Sequence, residues 1–351
     1  MANTREQNLA RLREEAYVIE PGQKFVVDEF RPEDAPGVAR LYHAVYGETF
    51  PVDHIYDPDE LVRVNEGDDL FQIVGRTPKG DVVGLYALFR SAPGKRIMEA
   101  GSWIVHPGYR GTSLGLRLAR RLHESPPEHL GLEAIFGQSV CDHVTTQKLA
   151  QRLNGRFSAL EIEPMPARPG KDAAYGRISL LDGIVLLGNR WDEIHLPGRY
   201  GAQLRRIYGW MDLDRTLLPD QAEKEDLAAT AETVLSVKTL EGAGQAKIEV
   251  ESIGPGFAER LADAEREHPG MDTYQLILPL WRPGCSLAVE AARDSGFFFA
   301  GLLPLWFDRD ALLLQKLAKT PDFSKPLLHT EEARALLEMV EADWRALRDR
   351  D

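Results

Sequence analysis

The sequence is poor in cysteine and contains no long apolar segment. Its 351 residues include two cysteines, Cys141 and Cys285, which excludes a disulfide framework and a four-cysteine zinc site. We expect both thiols to be reduced and buried, as in a cytoplasmic protein. The most apolar stretch, residues 296–306, is far shorter than a membrane span and contains Pro304. It therefore predicts core strands and no membrane partner, and the polar N-terminus lacks the apolar core of a signal peptide.

Positive charge is also scarce. The chain carries 42 Lys and Arg against 55 Asp and Glu, a net charge of −13. A phosphate-binding surface needs a basic excess, so this balance argues against nucleic acid as the main partner and favours cationic ligands. With 43% hydrophobic and 28% charged residues, the composition is that of a globular protein rather than a disordered one. At about 150 residues per domain, the length predicts two domains.

Hydrophobic periodicity predicts an α/β protein with a mixed sheet. After a helical leader at 4–16, the first half alternates short strands and amphipathic helices, with a hairpin at 69–90. The Pro- and Gly-rich residues 164–171 predict the exit from this domain, and the charged residues 220–226 a linker. We therefore predict four segments: a leader at 1–23, an α/β domain at 24–165, a second α/β domain at 178–318 and a C-terminal amphipathic helix at 330–351.

The second half contains a weak echo of the first. A predicted strand, helix and Gly-aromatic pair at 133–157 is matched by another at 274–298, and the interval from Phe136 to Gly155 equals that from Ile277 to Gly296. Sequence identity across the two segments is poor. Coincidence between two strand–helix–strand units and true structural repetition both remain open.

Residues 99–122 are the most informative segment. They predict a strand, a loop that contains prolines and glycines, and the N-terminus of a helix. Such a junction presents unpaired backbone N–H groups and the positive end of the helix dipole, which together bind phosphate. Gly111 permits close approach to the backbone and Arg110 adds a cation. These features indicate an anion or pyrophosphate site, while an ordinary loop-to-helix start is the alternative.

One motif in this segment is that of a serine hydrolase. Residues 111–115 (GTSLG) satisfy G-x-S-x-G, the nucleophile elbow of α/β-hydrolases, and lie between a predicted strand and a predicted helix. In that fold, however, the strand runs almost directly into the first glycine. Here residues 106–110 intervene, and the chain upstream is a hairpin. The hydrolase is therefore the weakest of the functional alternatives.

A second motif fits better. Residues 106–115 (HPGYRGTSLG) resemble motif A of the GNAT superfamily of acyl-CoA-dependent N-acyltransferases, in which Arg or Gln is followed by two residues, Gly, one residue, and Gly or Ala. Arg110 and Gly115 match, and Ser113 stands where glycine is usual. The resemblance covers about residues 24–165. It implies a GNAT-like domain, followed by a second domain that is half-GNAT-like.

The resemblance also implies the ligands and their contacts. The cosubstrate would be acetyl-CoA and the acceptor a primary amine on a small molecule or peptide, with no metal. The diphosphate would lie on the backbone of Gly111, Thr112, Ser113, Leu114 and Gly115, beside Arg110. The strand edge at Trp103, Ile104 and Val105 would pair with the pantetheine arm.

The resemblance implies one catalytic residue that the sequence has and one that it lacks. Glu99 lies eleven residues before Arg110, near the position where histone-type members carry a glutamate base that takes a proton from the amine. The family's tyrosine acid would fall at Ala150 or Gln151, neither of which is a phenol. The alternative to an N-acetyltransferase is therefore a non-catalytic acyl-CoA sensor or interaction module.

The second half has no glycine-rich loop beside an arginine. Its most comparable junction, residues 283–285, supplies one glycine and the neighbouring Arg282. We therefore expect one CoA per chain. The apolar face of the final helix, residues 336–347, must be buried against the same chain or against another copy, so a homo-oligomer is one of two expectations.

Overall fold

The computed structural model describes residues 4–48, 50, 52–124, 126–167, 176–222 and 232–349. The chain divides into two compact units, Met1–Ile135 (unit 1) and Phe136–Asp351 (unit 2). Both combine helices and strands, so the predicted α/β class is confirmed. The predicted domain limits at 165 and 178 differ from this division and stay predictions. Part of the predicted exit segment, residues 168–171, lies outside the described residues.

Unit 1 contains the predicted helices and strands in the predicted order. Its helices are α1 (Arg5–Glu15), α2 (Ala35–Tyr46), α3 (Pro58–Asn65) and α4 (Leu114–Glu124), and its strands are β1 (Val26–Glu29), β2 (Leu70–Arg76), β3 (Val82–Phe89) and β4 (Ile97–Val105). Strands β1 to β4 are neighbours in chain order, and each pair is antiparallel. The predicted hairpin is thus β2 and β3, with Ile73 opposite Tyr86.

Two glycines set the position of α4 on this sheet. A Cβ atom at Gly75 would lie 2.5 Å from Leu114 Cδ1, and one at Gly84 would lie 2.9 Å from Leu118 Cδ1. Larger residues at these two positions would therefore push the helix away from the hairpin. Leu114 and Leu118 are fully buried in this contact. The first turn of α4, and with it the preceding loop, is held in place by this packing.

Unit 2 is built on a larger mixed sheet. Its strands are β5 (Ala134–Val140, which starts at the end of unit 1), β6 (Arg156–Pro166), β7 (Arg177–Leu186), β8 (Asp192–Leu196), β9 (Arg215–Pro219), β10 (Val234–Leu240), β11 (Gln245–Ser252), β12 (Thr273–Pro279), β13 (Phe298–Leu303) and β14 (Ala311–Leu317). Its helices are α5 (Thr145–Arg152), α6 (Gly201–Met211), α7 (Phe257–Glu267), α8 (Cys285–Asp294) and α9 (Glu331–Arg348). Eight of the strands follow the spatial order β5-β7-β6-β13-β14-β12-β11-β10, and β8 and β9 form a separate parallel pair in the described part of the unit.

The sequence echo corresponds to a repeated arrangement of strands. The run β5-α5-β6-β7 and the run β12-α8-β13-β14 have the same element order, and their strands lie in mirrored spatial order on the two sides of the β6–β13 pair. Strands β6 and β7 are antiparallel, as are β13 and β14, and β6 pairs antiparallel with β13. An approximate two-fold axis between β6 and β13 therefore relates the two runs.

The repeat also identifies the junction in unit 2 that corresponds to the β4–α4 loop. Strand β11 pairs antiparallel with β10, as β4 does with β3, and leads into α7. The connecting residues 253–256 (IGPG) contain two glycines but no arginine, and Glu251 and Glu259 flank them. This junction, rather than residues 283–285, is the counterpart of the loop. Its charge disfavours an anion.

Two local predictions in unit 2 were wrong. Strands β8 and β9 were missed because each is five residues long and, among the described strands, they pair with each other in a separate sheet. Asp220, placed in a linker by its charged neighbours, is buried. Its carboxylate accepts hydrogen bonds from Gly284 N (3.0 Å) and Ser286 N (2.6 Å), at the start of α8. A distant carboxylate thus satisfies the helix terminus. Residues 223–226 of the predicted linker lie outside the described residues.

The predicted core of unit 2 is confirmed. Every residue of β12 and β13 is buried, as are both cysteines, and burial raises the pKa of the Cys141 and Cys285 thiols. In α9 the apolar residues Leu336 and Val340 are fully buried, and the helix packs on β6 and β13. The middle of the α9 face is therefore covered within its own unit, while Leu337, Trp344 and Leu347 remain partly exposed. None of the helices in the described residues is both long and apolar enough to cross a membrane.

Candidate functional site

The loop between β4 and α4 is an exposed turn with an ordered base. A short 3₁₀ turn spans Pro107–Tyr109, and His106 Nδ1 accepts a hydrogen bond from Gly108 N at 3.2 Å. Tyr109 is buried, donates its hydroxyl proton to Glu20 O at 2.7 Å and accepts from Gln23 N at 3.2 Å. Tyr109 carries no signal of this role in the sequence. Its anchoring contacts lie more than eighty residues away along the chain, and no local pattern predicts them.

Alternate backbone N–H groups of the loop are already used. Thr112 N donates to Tyr109 O at 3.4 Å, and Leu114 N donates to the Thr112 hydroxyl oxygen at 3.2 Å. Within the described residues, the N–H groups of Gly111, Ser113 and Gly115 have no partner. The predicted five-residue amide site is thus reduced to these three donors. They lie where the α4 dipole is positive, so they suit an anion.

Gly111 and Arg110 complete the loop in different ways. The backbone of Gly111 has φ +79° with nothing within 4 Å of a Cβ position, so glycine is required there by backbone conformation rather than by space. Arg110 is exposed and makes no ion pair with the described part of the chain. Burial lowers the pKa of the His106 imidazole, and the charge of Arg110 lowers it further. An uncompensated guanidinium and a neutral imidazole therefore flank the three free donors.

Two other arginines of α4 are less suited to an anion. The Arg117 guanidinium carbon lies 5.1 Å from the centroid of the Phe25 ring, which is a cation–π contact. Arg121 pairs with Glu29 at 2.6 Å. Arg117 is otherwise exposed on the surface of α4.

The residues predicted to flank the pantetheine arm lie at the end of β4. Trp103 is half-buried, and its indole N–H donates to Gly115 O at 3.1 Å, which ties the strand to the first turn of α4. Ile104 is buried and pairs with Leu85, while Val105 is half-buried. A bulge interrupts the β3–β4 ladder beside Trp103, where Ser102 has φ +54°. The side chains of Trp103 and Ile104 thus serve the packing of unit 1.

Glu99 lies at the other end of β4, six residues before Val105. At about 3.3 Å per residue, the two Cα atoms are roughly 20 Å apart. Glu99 is half-buried, and its carboxylate accepts a hydrogen bond from the Ser91 hydroxyl at 2.5 Å. Burial raises the pKa of Tyr86, and the charge of Glu99 raises it further. Tyr86 also packs on Trp103, with ring centroids 6.1 Å apart. The position of Tyr86 between Glu99 and Trp103 has no signal in the sequence, where Tyr86 looks like an ordinary core residue.

The remaining predictions for the site concern alternatives to CoA binding. The hydroxyl of Ser113 has no hydrogen bond to a histidine within the described residues, and His106 Nδ1 is engaged by Gly108 N. Nothing in the described residues therefore activates Ser113 as a nucleophile. Ala150 and Gln151 lie in α5 of unit 2. No group of three His, Cys, Asp or Glu side chains in the described residues is arranged to hold a metal ion.

Comparisons with known proteins give matches in structure only. No family model matches the chain, and no curated protein matches it in sequence. A spermidine/spermine N-acetyltransferase from Vibrio cholerae is 15% identical, with a TM-score of 0.36, over 47% of this chain and 92% of its own. The ribosomal-protein-S18-alanine N-acetyltransferase from Escherichia coli is 14% identical, with a TM-score of 0.37, over 48% and 96%.

A third match is a putative acetyltransferase from Salmonella typhimurium, solved with its cofactor acetyl-CoA. It is 16% identical, with a TM-score of 0.39, and the match covers 48% of this chain and 96% of that protein. All three matches are thus distant and extend over about half of this chain. Two of these three solved structures are named N-acetyltransferases and the third a putative acetyltransferase.

Proposed function

We propose that this protein is an acyltransferase that binds acetyl-CoA at the β4–α4 loop and transfers the acetyl group to a primary amine. The observation that carries the proposal is the set of free N–H groups at Gly111, Ser113 and Gly115, beside the unpaired Arg110. A diphosphate needs several donors and a cation in one place. Acetyl-CoA as cosubstrate would supply the acyl group as a thioester.

In this proposal the loop holds the diphosphate and β4 directs the rest of the ligand. The three N–H groups and Arg110 bind phosphate oxygens, while Tyr109 keeps the loop at a fixed position through Glu20 and Gln23. The backbone at Trp103, Ile104 and Val105 pairs with the amides of the pantetheine arm. An arm that runs along β4 from the loop leads towards Glu99.

Glu99 acts as the base in this scheme. An alkylamine is protonated at neutral pH and has no lone pair for attack on the thioester, so a proton must be removed first. The Ser91 hydroxyl, which donates to one carboxylate oxygen at 2.5 Å, orients Glu99. One proton passes from the ammonium to Glu99 directly or through water. The neutral amine nitrogen then attacks the thioester carbonyl carbon and forms the C–N bond, and the C–S bond breaks. The second proton lost by the nitrogen passes through water to the departing thiolate.

A non-catalytic acyl-CoA sensor is the second candidate. The observation that favours it is the absence of a phenol at Ala150 and Gln151, the positions where the resemblance expects an acid for the thiolate. The thiolate can also leave without a proton donor, because the pKa of a thiol is well below that of an alcohol. Its departure is then slower. Release of free thiol from acetyl-CoA with a panel of primary amines separates the two: turnover supports the enzyme, and binding without turnover supports the sensor.

The first test of the proposal is charge reversal at Arg110. Arg110→Glu sets a carboxylate beside the diphosphate, and we expect acetyl-CoA to bind at least about tenfold more weakly. Isothermal titration calorimetry measures the affinity, and circular dichroism confirms the fold. Arg120→Glu, an equal charge reversal at an exposed position of α4, is the matched control and should retain wild-type affinity. Equal affinities in the Arg110 variant and the wild type would contradict the proposed loop site.

A further inference from the structure

In the sheet of unit 2, β6 and β13 pair over a short stretch and then separate. Strands β6 and β13 pair at Gly301 and Ala159. Farther along β6, the side chain of Gln315 on β14 takes the place of a neighbouring strand. Its Oε1 accepts from Ile162 N at 2.8 Å, and its Nε2 donates to Leu160 O at 3.4 Å.

Glu161 lies between these two residues and belongs to a cluster of buried polar side chains. Gln138 Nε2 donates to Glu161 Oε1 at 2.7 Å and to Asp182 Oδ1 at 3.0 Å. Gln275 Nε2 donates to Glu161 Oε2. Glu161, Asp182 and Gln275 are each at most 4% exposed. These four side chains, from β5, β6, β7 and β12, are called the carboxyl cluster below.

Two oxygen atoms of the carboxyl cluster lack a hydrogen-bond donor in the described part of the chain. Asp182 Oδ2 and Gln275 Oε1 are buried and have no partner within the described residues. The Nε2 groups of Gln138 and Gln275 both donate to carboxylate oxygens. Buried acceptors without donors are costly. An ammonium group has three N–H donors and no acceptor, so it matches what the carboxyl cluster lacks in both charge and hydrogen bonding.

The surroundings of the cluster also suit an organic cation. Phe136, two residues before Gln138 on the same face of β5, packs on Trp306 with centroids 5.6 Å apart. Lys247 Nζ already lies 4.7 Å from the centroid of the Trp306 ring, so this aromatic surface is used for a cation. Gln138 and Lys247 are half-buried. Both have long, flexible side chains whose displacement would open the cluster to a ligand.

We propose that the carboxyl cluster binds the protonated primary amine of a small molecule, with Glu161, Asp182 and Gln275 accepting its three N–H groups. The site rests on unit 2 alone, so it stands whether or not the β4–α4 loop binds CoA. The two carboxylates supply the negative charge, and the unpartnered oxygens of Asp182 and Gln275 supply acceptors for the N–H groups. Phe136 and Trp306 contact the carbon chain that follows the ammonium.

Titration of Asp182 supports the same site. Burial raises the pKa of Asp182 well above its usual value, and the neighbouring charge of Glu161 raises it further, while Lys247 lowers it. Burial raises the pKa of the neighbouring Cys141 thiol and the charge of Asp182 raises it further, so this thiol is neutral. A bound ammonium favours the charged carboxylate and lowers the pKa of Asp182. Binding near neutral pH should therefore release a proton.

The test is calorimetric titration of the full chain, without CoA, with butylamine hydrochloride. Butyltrimethylammonium has the same charge but no N–H group, and 1-butanol has the same carbon chain without charge. We expect saturable binding of butylamine at roughly millimolar concentration, at least about tenfold tighter than either control compound. Titrations in two buffers of different ionisation enthalpy should show proton release.

Isosteric variants identify the residues. Asp182→Asn and Glu161→Gln should each weaken butylamine binding at least about tenfold, because each removes a charged acceptor. Glu251→Gln, at an exposed position of β11, should bind like the wild type. Backbone amide hydrogen exchange tests the site in the wild-type protein. Butylamine should slow exchange in β6 and β7, and butyltrimethylammonium should not.

Several results would overturn the proposal. They are the absence of saturable butylamine binding, equal affinity for butyltrimethylammonium, and wild-type affinity in a folded Asp182→Asn variant. Binding of Mg²⁺ at the cluster in competition with butylamine would assign it to a metal ion instead. If saturating butylamine left the hydrogen-exchange rates of β6 and β7 unchanged, the amine would bind elsewhere.

Discussion

Replacing Glu99 by glutamine is expected to lower acetyl transfer about 100-fold while acetyl-CoA affinity stays unchanged. Glutamine keeps the shape of the side chain. Its amide oxygen can still accept the hydrogen bond that the Ser91 hydroxyl donates to Glu99 Oε2 at 2.5 Å. It cannot take a proton from an ammonium ion. The variant therefore removes the base and leaves strand β4 and the distant loop as they are. Thiol release with a reactive amine measures turnover, and calorimetry measures affinity.

The pH dependence distinguishes a base from a structural residue. If Glu99 is the base, the difference between variant and wild type should shrink as the pH approaches the pKa of the free amine, about 10, where the amine loses its proton unaided. Glu128→Gln, at an exposed position of unit 1, is the control and should leave the rate unchanged. An equal rate for Glu99→Gln and wild type at every pH would show that Glu99 takes no proton.

Replacing Asp343 by asparagine is expected to destabilise the protein by about 3–5 kcal/mol. The side chain of Arg293 is fully buried, and its Nη1 donates to Asp343 Oδ1 at 2.6 Å and to Oδ2 at 2.7 Å. The Tyr200 hydroxyl and Phe299 N also donate to Asp343 Oδ2, each at 2.8 Å. Asparagine would leave a guanidinium buried without a counter-charge, and Arg293 Nε and Nη2 already lack partners in the described residues.

Urea denaturation measures this loss as a lower midpoint at unchanged slope. Glu338→Gln, at an exposed position of the same helix, is the matched control and should change the free energy of unfolding by less than about 0.5 kcal/mol. Adding Arg293→Met to Asp343→Asn should recover much of the loss, because the double variant buries no uncompensated charge. A loss below about 1 kcal/mol in Asp343→Asn would show that the buried pair between α8 and α9 contributes little to stability.

Sequence patterns predicted the helices and strands well where local periodicity is strong. Leu114, Leu118 and Leu122 form the apolar stripe of α4, whose N-terminus lies in the segment 99–122 where a helix start was predicted. The final helix begins as predicted after Thr330, whose hydroxyl oxygen accepts from Ala333 N. These features depend on spacing along the chain and on capping, which act within a few residues. For the same reason the β4–α4 loop was located from its glycines and its arginine.

The details of that loop depended on contacts made in the folded unit. Sequence suggested five backbone amides for an anion, and the fold leaves three free because Tyr109 O and the Thr112 hydroxyl oxygen engage the other two. The anchoring of Tyr109 to Glu20 and Gln23, and the room that Gly75 and Gly84 make for α4, join segments far apart in sequence. No periodicity encodes such pairs.

The sequence by itself determined the order of helices and strands in unit 1, the α/β class and the loop with the chemistry of an anion site, because backbone propensity and hydrophobic spacing are local properties. Only the tertiary structure decided that β6 pairs with β13, that Asp220 caps a helix and that Glu161, Asp182 and Gln275 share one buried cluster. Strand order and burial arise from contacts across the sheet. A carboxylate in a strand has the same sequence signature whether it faces water or another carboxylate, and the packing around it makes the difference.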